Sequence, residues 1–291
     1  MSTKLPEKQH YIPQMILKHF ADDRDLLWVG HRDTGHVFCQ GRHKTFVQKN
    51  LYTRYSYEDG SPDAEYERRL SDIESEASRV LDRIVDEVRN HCVQNVGEQE
   101  RLAVQRFVFS LARRTPESQR RVSGNQDDKE VFFQAAATLP GYMENVGALD
   151  EDSLFDIDGV PALAKKVLHN VNADFAADSR SDLRLQEQQF CAGTKLLFGL
   201  LETSDHELVI GSHGITITRV LTPSSSHSTV SETLLPIAPD VIVRIASLAQ
   251  DDSLRIITSG RTIERINRST LRLSEWIAGR SRSVISSLVA A

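Results

Sequence analysis

The chain has 291 residues, of which 40% are apolar and 26% are charged. This length allows one large domain or two closely packed ones, and the composition is ordinary for a globular protein. The formal net charge is −6, but residues 1–122 carry 20 Lys and Arg against 19 Asp and Glu, whereas residues 123–291 carry 15 against 22. A strongly basic nucleic-acid-binding protein is therefore not indicated, although a local basic patch is compatible with these numbers.

The cysteines and the apolar runs indicate the compartment. Cys39, Cys92 and Cys191 are single and widely spaced, which matches neither a disulfide framework nor a zinc ribbon and suits a reducing environment. The first residues lack the apolar run of a signal peptide, and the longest apolar stretches fall far short of the roughly 18–20 residues that span a bilayer. The sequence therefore predicts a cytoplasmic protein with no membrane partner.

Helical and strand-like periodicities alternate along the chain. The predicted elements of the first part are a short helix beginning at Pro13, a β-hairpin over 26–29 and 36–39, and helices over 62–93 and 98–114 that form an antiparallel hairpin. Those of the second part are helices over 127–139, 161–176 and 183–202, a loop over 140–160, strands over 207–211, 215–220, 234–237, 241–245 and 254–258, and a closing helix over 262–280.

These elements add up to an α+β protein. The predicted layout is a predominantly helical N-terminal two-thirds with a β-hairpin, followed by a small, mostly antiparallel sheet in the C-terminal third. We expect a single α+β domain over 1–291. A subdivision into a helical part with the hairpin (1–140) and a helix-plus-sheet part (160–291) is the alternative.

The most informative run is residues 9–20, Gln-His-Tyr-Ile-Pro-Gln-Met-Ile-Leu-Lys-His-Phe. His10 titrates near neutral pH and can act as an acid, a base or a ligand, while Tyr11 beside it can bind a phosphate or orient a base. In the structural alternative, His10 bonds a backbone carbonyl and Tyr11 packs, so that this run is held against the helical hairpin. The residues alone leave both interpretations open.

This run resembles the opening of a bacterial family known as domain of unknown function 4238. Further segments resemble the family in the same order: Asn50-Leu51-Tyr52, an acidic residue within 70–74, Arg113-Arg114-Thr115-Pro116, Leu235-Pro236-Ile237-Ala238-Pro239 and Ile266-Asn267. The family's Ser-Asp-Asn-Pro segment corresponds to residues 209–214, where Ser212 matches but His213 and Gly214 replace Asp and Asn. The resemblance implies an uncharacterised family and brings no known chemistry.

Two adjacent arginines and a glutamate are the other candidate functional residues. Arg113 and Arg114 end a helix, where they complement its dipole, yet a guanidinium is also a planar fork for phosphate or carboxylate. Adjacent helical residues point about 100° apart, so only one of the pair should face a given cleft. Glu74, at the edge of the apolar stripe of its helix, is either a solvated flank or a half-buried partner of a cation that orients His10 or acts as a base.

Signatures of metal and cofactor sites are absent from the sequence. His31, His36 and His43 lie on or beside the hairpin, but they alternate between its faces and lack an acidic or cysteine partner at ligand spacing. The chain has no P-loop, no Gly-x-Gly-x-x-Gly, no Gly-x-Ser-x-Gly and no His-Glu-x-x-His. We therefore expect neither a metal nor a cofactor.

Two functions fit these residues. The first is a metal-independent enzyme that cleaves phosphodiesters, an RNase-like effector of a toxin or phage-defence kind, with RNA or another phosphate-bearing ligand as its partner. Its predicted catalytic residues are His10, Glu74 and Arg113, and its predicted substrate-binding residues are Tyr11, Gln14, Tyr52 and Arg114. The second is a non-catalytic binding module in which the same residues are structural. The sequence does not indicate an oligomeric state.

Overall fold

A computed structural model describes residues 8–49, 51, 54–55, 62–63, 65–92, 96–118, 180–203, 205–221, 229–247 and 254–290. The α-helices in these residues are α1 (Gln14–Phe20), α2 (Glu65–Arg89), α3 (Glu98–Arg114), α4 (Arg180–Gly193), α5 (Gly260–Leu273) and α6 (Arg282–Val289). The strands are β1 (Lys8–His10), β2 (Leu26–His31), β3 (Val37–Gly41), β4 (Val47–Lys49), β5 (Arg54–Tyr55), β6 (Pro62–Asp63), β7 (Thr194–Leu201), β8 (Ile210–Gly211), β9 (Thr216–Leu221), β10 (Thr229–Pro236), β11 (Val241–Ser247), β12 (Leu254–Ile257) and β13 (Trp276–Gly279). The helices predicted over 127–139 and 161–176 and the loop predicted over 140–160 lie outside the described residues.

The chain divides into two compact units. One consists of Met1–Gln9, Lys49–Ser71 and Gln119–Leu185, and in its described part β5 and β6 pair antiparallel. The other consists of His10–Gln48, Asp72–Ser118 and Gln186–Ala291. The two larger sheets and the candidate functional residues described below belong to this second unit.

The larger sheet of the second unit has five strands in the order β12-β7-β11-β10-β9. Its neighbours pair antiparallel except β12 and β7, which are parallel, so the sheet is mixed. The central strand β11 is rich in β-branched residues, and Val241, Ile242 and Val243 are fully buried, which shows that both faces of the sheet are covered there. On one face, Ile263 and Ile266 of α5 join a core cluster with Ile242.

The second sheet joins distant parts of the sequence. Its strand order is β3-β2-β13-β8, and every pair is antiparallel, with Trp276 of β13 opposite His31 of β2. Helix α6 covers it, and Ile285 belongs to its core cluster. Gly30 permits this approach, because a Cβ atom there would lie 2.7 Å from the Cγ2 atom of Ile285.

Helices α2 and α3 run antiparallel, as the apolar periodicity predicted. Near the Gly97 turn, Arg83 contacts Glu100 at 2.7 Å, and near the far end of α3, Glu74 contacts Arg114. Helix α3 begins and ends at the predicted residues, whereas α2 is shorter than the predicted span of 62–93. Among the described residues, no helix combines the length and apolar character needed to cross a membrane.

The predicted layout of a helical N-terminal two-thirds and a small C-terminal sheet is wrong. The N-terminal hairpin is built into a sheet with β8 and β13, and the later sheet has five strands and is mixed. One reason is that residues 194–201 were assigned to a helix over 183–202 but form β7, because a short continuous apolar run fits a buried strand as well as a helix. Likewise, the predicted helix over 262–280 ends at Leu273 and is followed by β13. The protein is α+β, with helices in its N-terminal half and a mixed sheet in its C-terminal part.

Candidate functional site

His10 is the last residue of β1 and is half-buried. Pro13 precedes α1, and Gln14 is the first residue of that helix, four positions after His10. This spacing brings the Gln14 amide Nε2 to 2.9 Å from Nε2 of His10, so the amide donates and the imidazole nitrogen accepts. The imidazole is therefore held with its Nε2 unprotonated.

The surroundings of His10 favour its neutral form. Burial lowers the pKa of His10, the proximity of the Thr45 backbone raises it, and the nearby charges of Arg114, Arg42 and His43 lower it further. The net shift is downward from the ordinary value near 6.5, so His10 is neutral at pH 7. A neutral imidazole can accept a proton.

Arg42 and His43 belong to a short 3₁₀ turn, Arg42–Lys44, that follows β3. The Arg42 guanidinium contacts the Gln14 carbonyl oxygen at 3.4 Å and pairs with the exposed Asp25 at 2.8 Å. His43 is exposed. We call the group formed by His10, Gln14, Arg42 and His43 the His10 corner.

Tyr11 is buried, whereas the neighbouring His10 is half-buried. Its backbone N–H donates to the Phe46 carbonyl oxygen at 3.0 Å, and its ring lies 5.8 Å from the Phe46 ring. The next residue, Ile12, is fully buried. Tyr11 therefore packs in the core, as the structural interpretation of this run expected.

Arg114 is the last residue of α3, and only 1% of it is exposed. Its Nε donates to the Tyr11 carbonyl oxygen at 2.9 Å, and its Nη1 contacts Glu74 Oε1 at 2.5 Å. Glu74 is half-buried opposite this cation, which is the second of the two alternatives that the sequence left open. The three residues form a buried network that fixes the backbone next to His10.

Arg113 lies elsewhere. Its Nη1 donates to Gln186 Oε1 at 3.0 Å, and its guanidinium lies over the Phe109 ring, 5.5 Å from the centroid. The rotation of about 100° between adjacent helical residues explains why only Arg114 reaches Tyr11 and Glu74. Of the predicted site residues, His10 and Gln14 thus form one group and Tyr11, Glu74 and Arg114 another, while Arg113 belongs to neither. Tyr52 lies outside the described residues.

The family model described as "Protein of unknown function (DUF4238)" matches residues 8–283. The chain belongs to this family. No curated protein and no solved structure matches the chain. The family assignment therefore supplies no reaction, and the side chains of the DUF4238 chain must carry the functional argument.

Ser212 lies in the segment that resembles the Ser-Asp-Asn-Pro of DUF4238 proteins. Its hydroxyl donates to Glu117 Oε1 in a short hydrogen bond and accepts the backbone N–H groups of Glu275 and Trp276, each at 3.1 Å. Ser212 is completely buried. Its hydroxyl ties the turn before β9 to the strand β13.

His213, the next residue, is also buried. Its Nδ1 lies 3.1 Å from the Ile215 carbonyl oxygen, and its Nε2 lies 3.5 Å from Ser118 Oγ. Its backbone N–H donates to Ser274 Oγ. His213 therefore belongs to a buried network of hydrogen bonds and does not line a cleft.

Asn267 has a similar role on α5. Its side chain accepts the Val209 N–H at 3.1 Å and donates to the Glu207 carbonyl oxygen at 2.8 Å. The amide thereby fixes the strand segment that leads to Ser212. The hydrogen bonds of Ser212, His213 and Asn267 thus stabilise the second unit.

The three hairpin histidines do not converge. His31 accepts the Thr34 N–H, His36 stacks on Phe38, and His43 belongs to the His10 corner. In the described part of the chain, no group of three His, Cys, Asp or Glu residues has the arrangement of a metal site.

Arg42 and His43 were not singled out from the sequence as partners of His10. The signal was present in the basic run Arg42-His43-Lys44 directly after the hairpin. Its proximity to His10 depends on the Tyr11–Phe46 contact, which joins segments about 35 residues apart and leaves no trace in local periodicity.

Proposed function

We propose that the protein is a metal-independent enzyme that cleaves phosphodiesters in RNA, an effector of the toxin or phage-defence kind. The observation that supports this is the His10 corner, where the His10 imidazole bonds the Gln14 amide and the Arg42 guanidinium bonds the Gln14 carbonyl oxygen. His43 directly follows Arg42 in the same turn. Metal-independent RNA cleavage requires a base, an acid and a cation. The corner contains one residue type for each.

The chemistry at this corner follows from the unprotonated Nε2 of His10. A ribose 2′-hydroxyl replaces the Gln14 amide as the donor to Nε2 and gives up its proton, and the resulting 2′-oxygen attacks the adjacent phosphorus. The bond from phosphorus to the 5′-oxygen breaks, and His43 is the proposed source of the proton that this oxygen needs. The products are a 2′,3′-cyclic phosphate and a 5′-hydroxyl.

Arg42 is the cation suited to the extra negative charge on the phosphorane. Its guanidinium already pairs with the exposed carboxylate of Asp25, and a phosphate is a competing anion of higher charge in the transition state. Arg114 and Glu74 are positioning residues in this proposal, since they hold the Tyr11 carbonyl and hence the backbone of His10. This reassigns the phosphate-binding role from Arg113 and Arg114 to Arg42.

A non-catalytic binding module is the second candidate, and one observation favours it. Arg114 is buried and bonded, as expected of a residue that only stabilises the fold. In this alternative the whole His-Tyr-Ile-Pro run is structural. The two candidates differ in what happens when His10 is changed without unfolding the protein.

The test is cleavage of a fluorogenic ribo-oligonucleotide in the presence of EDTA. Wild type should cleave it and leave the 2′-deoxy version intact, because the attacking hydroxyl is missing. His10→Gln should lower the rate by about 100-fold or more, in line with the loss of a general base. Thermal melting of each variant shows whether the fold is retained.

His36→Gln is the matched control, because His36 is an exposed imidazole on the hairpin. It should cleave at the wild-type rate. Equal rates for wild type and a folded His10→Gln variant, or no cleavage by wild type, would reject the enzyme in favour of the module.

A further inference from the structure

Helix α5 has two chemically different faces. Ile263, Ile266, Asn267 and Thr270 are buried, and the first two pack against the five-stranded sheet. The opposite face carries what we call the arginine stripe, whose members are exposed: Arg261, Arg265, Arg268 and Arg272. The spacing of four, three and four residues places all of them along one side of the helix.

The positive charge of the arginine stripe is only partly compensated within its helix, where Arg272 lies in the last turn and complements the dipole. Like charges three or four residues apart repel, and the first turn, where Arg261 lies, contains no acidic residue. Glu264 offsets part of this repulsion by pairing with Arg268 at 2.8 and 3.0 Å. The remaining positive charge of the stripe is not compensated by acidic residues of this helix.

Three members of the stripe are available to an anion. In the described ranges, no carboxylate pairs with Arg261, Arg265 or Arg272. The side chains of the stripe, with Glu264 and Ser269, line a groove. Residues 254–291 contain seven arginines, no lysine and two glutamates, although the whole chain has a net charge of −6.

We propose that the arginine stripe binds the phosphodiester backbone of a nucleic-acid strand. Residues 261 to 272 span about 16 Å of helix, with one guanidinium at each turn or closer. A stacked strand carries a phosphate about every 3.4 Å of its axis, so about five phosphates pass the stripe. Every residue that lines the groove is charged or polar, which suits a phosphate backbone.

The experiment is fluorescence anisotropy with a labelled 2′-O-methyl RNA ten-mer and its DNA counterpart, neither of which offers a 2′-hydroxyl for cleavage, over a series of salt concentrations. The triple variant Arg261→Gln/Arg265→Gln/Arg272→Gln should weaken binding about tenfold or more. Its plot of log affinity against log salt should be shallower by about 2, since each lost phosphate contact with a single strand removes about 0.7 from the slope. Similar losses with both probes show that the backbone is bound; a loss confined to the RNA shows that ribose is also read.

Arg68→Gln/Arg69→Gln/Arg79→Gln is the matched control, because it removes the same charge from exposed arginines of α2. It should retain most of the affinity and the slope. A second stripe variant with lysines at 261, 265 and 272 keeps the charge and should bind nearly as wild type. Equal affinities for the glutamine stripe variant and the control would overturn the proposal, as would wild type that binds neither probe at 50 mM salt.

Failure of this proposal and failure of the proposed cleavage are distinguishable. His10→Gln tests cleavage, whereas the stripe variants test the binding of probes that have no 2′-hydroxyl to donate to His10. A wild-type protein that binds strands through α5 without cleaving RNA would support the arginine stripe and reject only the enzyme.

Discussion

Single residues at the end of α3 illustrate how one helical position changes the role of an arginine. Arg114 is buried and bonded to Tyr11 and Glu74, whereas the neighbouring Arg113 contacts Gln186. Because the buried guanidinium satisfies a backbone carbonyl and a carboxylate, its removal leaves both without that donor.

We expect Arg114→Gln to lower the free energy of unfolding by about 3 kcal/mol, the magnitude found when one partner of a buried ion pair is removed. Arg113→Gln, one residue away, should cost less than about 1 kcal/mol, as is usual for substitutions outside the core. Urea denaturation of the two variants gives both values. Similar losses for the two would contradict the assignment of Arg114 as the positioning residue.

The histidines His10 and His19 predict how stability depends on pH. Burial lowers the pKa of each, and in His19 it outweighs the hydrogen bond and charge of Asp82, which raise the pKa. Between the lowered folded pKa and the unfolded value near 6.5, the unfolded chain binds more protons than the folded protein. The free energy of unfolding therefore falls as the pH drops from 6.5 through the folded pKa values.

In the double variant His10→Gln/His19→Gln, the free energy of unfolding should no longer fall with pH because of these two histidines. Urea denaturation at pH 7 and pH 5 gives the free energy of unfolding of wild type and variant at each pH. The contribution of the two histidines is the difference between the two proteins in how much this free energy changes. The stability of wild type should fall by more than that of the variant. Parallel changes would show that the two imidazoles are not held neutral in the folded protein.

At the scale of elements, the five-stranded sheet contains a buried ion pair. Arg244 of β11 donates to Glu232 of β10 at 2.7 Å, and only 2% and 3% of the two side chains are exposed. Removing one partner of such a pair strongly destabilises the fold, yet the intact pair seldom stabilises it more than apolar residues of similar volume would.

Glu232→Gln alone should cost about 3–5 kcal/mol, because it removes the charge of one partner of a buried ion pair. The double replacement Glu232→Leu/Arg244→Met should recover most of this loss. Urea denaturation of the two variants tests the pair. A single variant as stable as wild type would mean that the pair is not buried in solution.

Sequence periodicity located best the elements whose boundaries are marked by residues next to them in the sequence. Helix α3 was predicted at its observed ends, because Gly97 precedes a regular apolar stripe that Thr115-Pro116 follows. Strand β7 was missed, because its run Thr-Lys-Leu-Leu-Phe-Gly-Leu-Leu is apolar at successive positions and has no strand alternation. Strand β13 was missed, because the apolar residues after Ser274 continue the helical spacing of α5.

For the candidate site, the sequence identified His10, Gln14, Glu74 and Arg114 but not their division into two groups. That division depends on contacts between segments far apart in the chain, such as the bond from the Tyr11 N–H to the Phe46 carbonyl oxygen near the turn at Arg42. The arginine stripe was detectable, since a spacing of four, three and four on a predicted helix is a local pattern.

Over the whole molecule, local groups of positive charge contrast with the net negative charge of the chain. The chain is acidic overall, yet helix α5 carries the arginine stripe and the His10 corner contains Arg42 and His43. Net charge alone argued against nucleic acid as a partner, whereas these two local groups of cations favour a phosphate-bearing one.

The most direct test of the proposed function is a mass spectrum of the ends formed when RNA is incubated with the protein in EDTA. Wild type should generate 2′,3′-cyclic phosphate and 5′-hydroxyl ends, and a folded His10→Gln variant should generate neither above background. RNA that stays intact with wild type, or the same ends in equal amounts from both proteins, would contradict His10 as the base of a phosphodiester-cleaving enzyme.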